Sequence, residues 1–157
     1  MWVGHPDRRF SCSPSAWTSA AWGREDEAVM ESTVGKPDGQ ARWEAYMFLL
    51  AVRQWVRPGL RGRITMVGDA EGILGSLTAF RSDDHVINDI SKEMALVLAP
   101  LGFELEAIHI WGEENVMADD LSRICQGHAV PWKLWQVPEV HLAPRARTDW
   151  TFFLNEA

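Results

Sequence analysis

Two short β-prone runs set furthest apart by helical pattern constrain this chain more than anything else in it. The first, Arg63 to Val67, is ended by Gly68-Asp69; in the second, Phe103, Leu105 and Ala107 alternate with Glu104 and Glu106 before the apolar Ile108-His109-Ile110. Between them Gly72 to Phe80 reads as a short helix. Ser82-Asp83-Asp84 then offers capping side chains to a longer one, whose stripe Ile87, Ile90, Met94, Val97 and Leu98 stops at Pro100 and Gly102. Strands joined through helices rather than through a tight turn pair in parallel. A further helix precedes the first strand: from Gln40, Trp43, Met47, Leu50 and Ala51, and likewise Glu44, Phe48, Ala51 and Trp55, recur at three- and four-residue spacing until Pro58-Gly59. Another, within Asn115 to Arg123, follows the second strand through the turn at Gly112. The order helix, strand, helix, helix, strand, helix predicts an α/β layered domain with parallel strands.

The patterned region spans residues 40–124. Residues 1–39 are poorly patterned: Gly4, Pro6, Ser11, Ser13 and Pro14 mark turns, Ser15 to Trp22 reads as a short strand, and Gly35 to Gly39 as a loop. Residues 125–157 form an irregular tail punctuated by Pro131, Pro138 and Pro144, with Trp132, Trp135 and Trp150 among them, of a kind that packs along a surface or binds a partner. At 157 residues the chain is read as one domain with a tail. No apolar run approaches the roughly 20 residues that span a bilayer, and the start, with Asp7, Arg8 and Arg9, lacks the pattern of a secretion signal. An intracellular protein, cytoplasmic or nuclear, is expected, with no membrane partner. Cys12 and Cys125 are read as free thiols. The net charge of −7 excludes a generally basic footprint, so any contact with a nucleic-acid backbone must be local or depend on cations or neighbouring domains.

Three acids stand where a cation site would want them. Glu44 lies in the first turn of the buried helix and on its apolar stripe, Asp69 follows a strand, and Asp119 opens the last helix. Acids at the carboxyl ends of strands and at nearby helix starts can converge on one pocket of an α/β sheet. Gathered carboxylates repel one another until a cation neutralises them. Without a cysteine or histidine cluster, such a site takes Mg²⁺ or Mn²⁺ in preference to zinc.

The ending Asn115-Val116-Met117-Ala118-Asp119-Asp120-Leu121-Ser122-Arg123 resembles the close of the ribonuclease H domain of retrotransposon reverse transcriptases. Trp43-Glu44-Ala45 with Phe48-Leu49-Leu50-Ala51 is similar to that family's first-helix motif, and Arg63-Ile64-Thr65-Met66-Val67-Gly68-Asp69 to its fourth strand. The three motifs keep the family's order, at separations of 25 and 50 residues between the acids. The resemblance implies a ribonuclease H-like mixed sheet flanked by helices. It also implies Glu44, Asp69 and Asp119 as metal ligands and catalytic groups, Asn115 and Arg123 as substrate contacts, and two Mg²⁺ or Mn²⁺ ions about 4 Å apart. The implied activity is hydrolysis of the RNA strand of an RNA–DNA hybrid, within a retroelement polyprotein in which a polymerase domain can precede this one. The ending sets the resemblance apart from related nucleases and integrases acting on DNA.

The family also places an Asp on its first strand, and no counterpart is found. Its expected position falls near or before Met1, an N-terminal truncation by one strand. Residues 17–23 are faintly similar to the family's Thr-Asp-Ala-Ser segment, with Ser19 replacing the acid, but lie close to Glu44 for three intervening strands; Asp7 and Asp26 are the other substitutes. Ala70 and Glu71 stand where the family often carries Asn or Ser. A second expectation follows: a catalytically inactive fragment, or an interaction module of the same fold.

Each residue also has a plainer reading. Asp119 and Asp120 suit a helix's positive end without a metal, Asp69 suits a helix cap, and Glu44 suits a salt bridge to an arginine. Asn115 either caps the last helix or orients Asp119; Arg123 either reaches a phosphate or favours the helix's later turns. His109 is read as a hydrogen-bonded core residue. The nine tryptophans are read as core and tail packing, with stacking on bases as the alternative.

Overall fold

The computed structural model describes residues 2–4, 14–56 and 62–142. It is a mixed α/β protein of two compact units, one built on residues 22–112 and the other on residues 1–21 and 113–144. Among the described residues no helix is long and apolar enough to cross a membrane. Asp7, Cys12, Pro58-Gly59, Pro144 and Trp150 lie outside the described residues.

In the 22–112 unit, a short helix α1 (Arg24–Met30) and a 3₁₀ turn (Pro37–Gly39) lead into α2 (Gln40–Trp55). Strand β3 (Arg63–Gly68), helices α3 (Glu71–Thr78) and α4 (His85–Leu98), and strand β4 (Glu104–His109) follow. The strands pair in parallel, with Arg63 opposite Glu104 and Gly68 opposite His109, as their helical connection requires. One side of β3 is buried through Met66 and Gly68; the other turns Arg63 and Thr65 outward, beside Glu104 and Glu106.

Helix α4 begins where its capping signal stands: the Asp84 carboxylate accepts the Ile87 N–H at 3.1 Å. Its stripe is buried at Val86, Ile87, Ile90, Met94 and Leu98, with Val97 only half-buried. It packs on α2, whose buried face runs through Trp43, Ala45, Tyr46, Leu49, Leu50 and Val52. Fully buried aliphatic side chains such as Leu49, Leu77 and Ile90 each contribute about 1.5–3 kcal/mol. Met47, Phe48 and Trp55, expected in the core, stand half-buried on its flank.

Arg42 fastens the N-terminal side of this unit. Its guanidinium donates to the Met30 and Glu31 carbonyls at 3.0 and 3.2 Å and to the Asp84 carboxylate at 3.0 Å, tying α1 to the start of α4. Burial pushes the Asp84 carboxyl up, but the Ile87 N–H and the Arg42 guanidinium outweigh it and hold the group below its ordinary value.

Two substitutions test this packing. A methyl on Gly39 would overlap Ser32 at both its Oγ and its Cβ, and the second cannot swing aside. Gly39→Ala is therefore expected to destabilise the fold by about 1–3 kcal/mol in chemical denaturation, although alanine is the better helix former. Glu93, only 2% exposed, faces Arg53 at 3.7 Å across the α2–α4 interface. Glu93→Ala leaves the guanidinium without this carboxylate and should cost about 3 kcal/mol by the same measurement, whereas Glu93→Asp should recover part of it.

The other unit holds an antiparallel pair, β1 (Trp2–Gly4) and β2 (Pro14–Trp17), and helix α5 (Val116–Ser122). The strand expected at Ser15 to Trp22 is thus shorter and starts earlier. The tail docks on its last residue: Trp17 N–H donates to the Pro138 carbonyl at 3.1 Å, Val140 N–H to the Trp17 carbonyl at 2.8 Å, and the Trp17 indole to the Val137 carbonyl at 3.0 Å. Trp17, Leu121 and Leu134 form a buried cluster, flanked by Met117, Ile124, Val130 and Val137. The irregular tail is in this way part of a core. Cys125 is an exposed free thiol.

Candidate active site

The candidate site in the 22–112 unit lies at the carboxyl ends of the parallel strands. Strand β3 delivers Gly68 and then Asp69, while the Ile110 N–H just beyond β4 donates to the Gly68 carbonyl at 2.9 Å and holds the two strand ends together. Gly68 has no side chain where Phe48 of α2 arrives: a Cβ there would meet the Phe48 ring at 3.2 Å. Phe48 is one helical turn beyond Glu44, so this close approach lays the flank of α2 that carries Glu44 along the end of β3. A Cβ on Gly112 would stand 3.5 Å from the Asp69 carboxylate, so the backbone after β4 walls the other side.

Glu44 and Asp69 are close enough to feel each other. Burial pushes the Glu44 carboxyl above its ordinary value and the charge of Asp69 pushes it the same way, while the amide of Gln40, donating to Glu44 at 3.0 Å, pulls against both. A half-buried carboxylate one turn from an aromatic side chain and near a second acid is costly to ionise, and a cation bound between the two would reverse that cost. The plainer reading of Glu44 does not describe it, and Asp69 stands one residue before the cap position of α3. The hydrogen bond found for Glu44 comes from Gln40, not an arginine, and the N-cap position of α3 falls on Ala70.

Asp119 belongs to the other unit. It is exposed on α5 and takes the Arg123 guanidinium at 2.8 Å, one turn on. Both side chains are about half exposed, at 52% and 49%, so the pair is worth only about 0.3–0.5 kcal/mol and opens readily to a competing cation or phosphate. Asn115 occupies the N-cap position of α5 without a side-chain capping bond. Ser122 Oγ donates to the Asp119 carbonyl at 2.7 Å.

Among the described residues, no three His, Cys, Asp or Glu side chains are gathered closely enough to hold a metal ion. Asp26, a substitute for the missing first-strand acid, is engaged in the fold: its carboxylate accepts the Gly23 N–H at 2.7 Å and the hydroxyl of buried Tyr46 at 3.4 Å. His109, expected in the core, is exposed, its ring edge-on to Trp111 at 5.3 Å. The alternation of β4 breaks at Ile108, which is half-buried, so that His109, though paired with Gly68, is exposed. Trp111 itself, 72% exposed, drew no attention in the sequence because nothing in its spacing separates it from a core aromatic.

No protein-family model, curated protein or solved structure gives a significant match to the chain.

Proposed function

We propose that this chain is a ribonuclease H-like domain of a retroelement polyprotein, a hydrolase that cleaves the RNA strand of RNA–DNA hybrids with divalent-cation assistance. The observation that carries the reading is that Asp69, just past the carboxyl end of β3, lies near enough to Glu44 of α2 for its charge to add to burial in raising the Glu44 carboxyl above its ordinary value. The two residues come from motifs that resemble the family's helix and strand motifs, and the carboxyl ends of parallel strands, where Asp69 stands, are where α/β sheets bind ligands.

Two carboxylates completed by water and phosphate oxygens are the donor set that Mg²⁺ or Mn²⁺ accepts. A bound cation supplies Lewis-acid activation of the phosphate and of the attacking water, and the family arrangement uses two such ions. Glu44 and Asp69 would hold the cation, whose charge would offset the burial and repulsion that raise the Glu44 carboxyl. The wall at Gly112 orients the Asp69 carboxylate. Asp119 enters the proposal on its motif, as do Arg123, whose weak ion pair frees it for a phosphate, and Asn115. A polymerase domain is the proposed companion in the polyprotein.

The test is cleavage of an end-labelled hybrid by the purified chain in Mg²⁺ or Mn²⁺. Hydrolysis by the parent protein and its loss in Asp69→Asn are expected. A parent protein that leaves the hybrid intact, and in which Mg²⁺ fails to shift the Glu44 titration followed by NMR, overturns the reading.

A second reading, a non-catalytic module of the same fold, is favoured by the lack of a three-ligand group among the described residues and of a first-strand acid in the sequence. Hybrid cleavage abolished by Asp69→Asn excludes it.

A further inference from the structure

The tail carries a feature that the hydrolytic site does not use. Pro131 opens a 3₁₀ turn, Trp132–Leu134, closed by a Trp135 N–H donating to the Trp132 carbonyl at 3.3 Å. Side chains three apart on such a turn project from the same edge. Here they are Trp132 and Trp135, 72% and 74% exposed, while Leu134 between them is 1% exposed and sits in the cluster with Trp17 and Leu121. The turn is pinned from below, and the Trp135 ring is fixed by its indole N–H donating to the Val130 carbonyl at 3.0 Å. Large aromatic rings left this exposed bury little apolar surface in the fold itself. They are preorganised for a partner.

Charge selects the partner. The Lys133 ammonium lies 5.9 Å from the centre of the Trp132 ring. Within the described part of the tail, residues 124–142, Lys133 is the one Lys or Arg and Glu139 the one acid, against a chain net charge of −7. Flat aromatic faces beside a cation, in a segment less acidic than the chain as a whole, match a strand of unpaired bases on a phosphate backbone. A lipid surface would want a continuous apolar face, whereas Lys133 and Gln136 interrupt this one.

We propose that Trp132, Lys133 and Trp135 form a stacking platform for single-stranded nucleic acid, each indole taking one base and Lys133 a neighbouring phosphate. The choice of a nucleic acid rests on the functional reading above. The platform itself needs no divalent cation and no hydrolysis.

The test is fluorescence anisotropy of a labelled twelve-nucleotide oligothymidine with the full chain in EDTA. Binding that weakens with rising salt is expected. Trp132→Ala and Trp135→Ala should each weaken it at least about fivefold, Trp132→Phe should retain most of it, and Lys133→Gln should lower the salt slope by about 0.7. All three residues are at the surface, and unchanged circular dichroism confirms the fold. Absent oligonucleotide binding by the parent, or equal affinity in the double alanine variant, overturns the inference. So does tryptophan-dependent binding to anionic phospholipid vesicles or to a proline-rich peptide in place of the oligonucleotide. A chain that fails to cleave hybrid but binds the oligonucleotide through these tryptophans loses the hydrolytic reading and keeps this one; cleavage with tryptophan-independent binding does the reverse.

Discussion

Glu44→Gln is expected to give a protein that is more stable without divalent cations and inactive with them. In the parent, burial and Asp69 raise the Glu44 carboxyl above its ordinary value of 4.5, so the folded state holds this proton more tightly than the unfolded chain does. The stability contributed by that tighter hold is fully present below the unfolded value and is lost as pH rises through the raised folded one. At neutral pH the ionised group therefore works against the fold. Glutamine keeps the shape and the partner in Gln40 but carries no charge, so thermal unfolding in EDTA should show a higher midpoint at pH 7. The part of the pH dependence owed to Glu44 should disappear. On the proposed role of Glu44 as a cation ligand, hybrid cleavage should fall by more than about a hundredfold, because changes to groups that merely support metal ligands already cost 10–100-fold. Equal midpoints at pH 7, with undiminished cleavage, would show that Glu44 is an ordinary surface acid.

Trp17→Ala should dismantle the other unit. The indole is 5% exposed, packs on Leu121 and Leu134, and donates to the Val137 carbonyl, while the backbone of the same residue pairs with the tail on both sides. Truncating a buried tryptophan costs about 3–5 kcal/mol, much of what a small unit has to spend. Limited proteolysis should then cut within residues 113–142 while the helices of the 22–112 unit keep their far-ultraviolet signal. Trp17→Phe, which preserves the packing and removes only the indole N–H, should be protected almost as well as the parent. A Trp17→Ala protein as resistant as the parent would mean that the cluster does not hold the tail.

The elements of the 22–112 unit were legible because their punctuation is chemical. Asp84 caps α4 as its position in Ser82-Asp83-Asp84 predicts, Gly102 adopts a positive φ of 65° after the turn at Pro100, and β3 ends at the glycine that Phe48 needs. The inner face of α2 was less legible. Residues 45–52 are apolar without a break, so the 3.6-residue period cannot mark a face, and Tyr46 and Leu49 rather than Met47 and Phe48 took the core. The motifs led to an expectation that Glu44, Asp69 and Asp119 converge; the effect of Asp69 on Glu44 and the wall made by Gly112 come from the packing of α2 on β3 and the parallel pairing of β3 with β4, which no motif specifies. The tail read as irregular because its order comes from single backbone bonds to Trp17 and one buried leucine, which leave no periodic trace.

The hydrogen bond from Trp17 to Val137 joins residues 120 positions apart, and the whole 22–112 unit is threaded between them. During synthesis the inserted unit is released from the ribosome with all its own partners and can fold at once, whereas Trp17 must wait until the tail has emerged. The N-terminal strands therefore spend that interval with their anchor uncovered, and a chain terminated early, before Leu134, would carry an exposed tryptophan permanently.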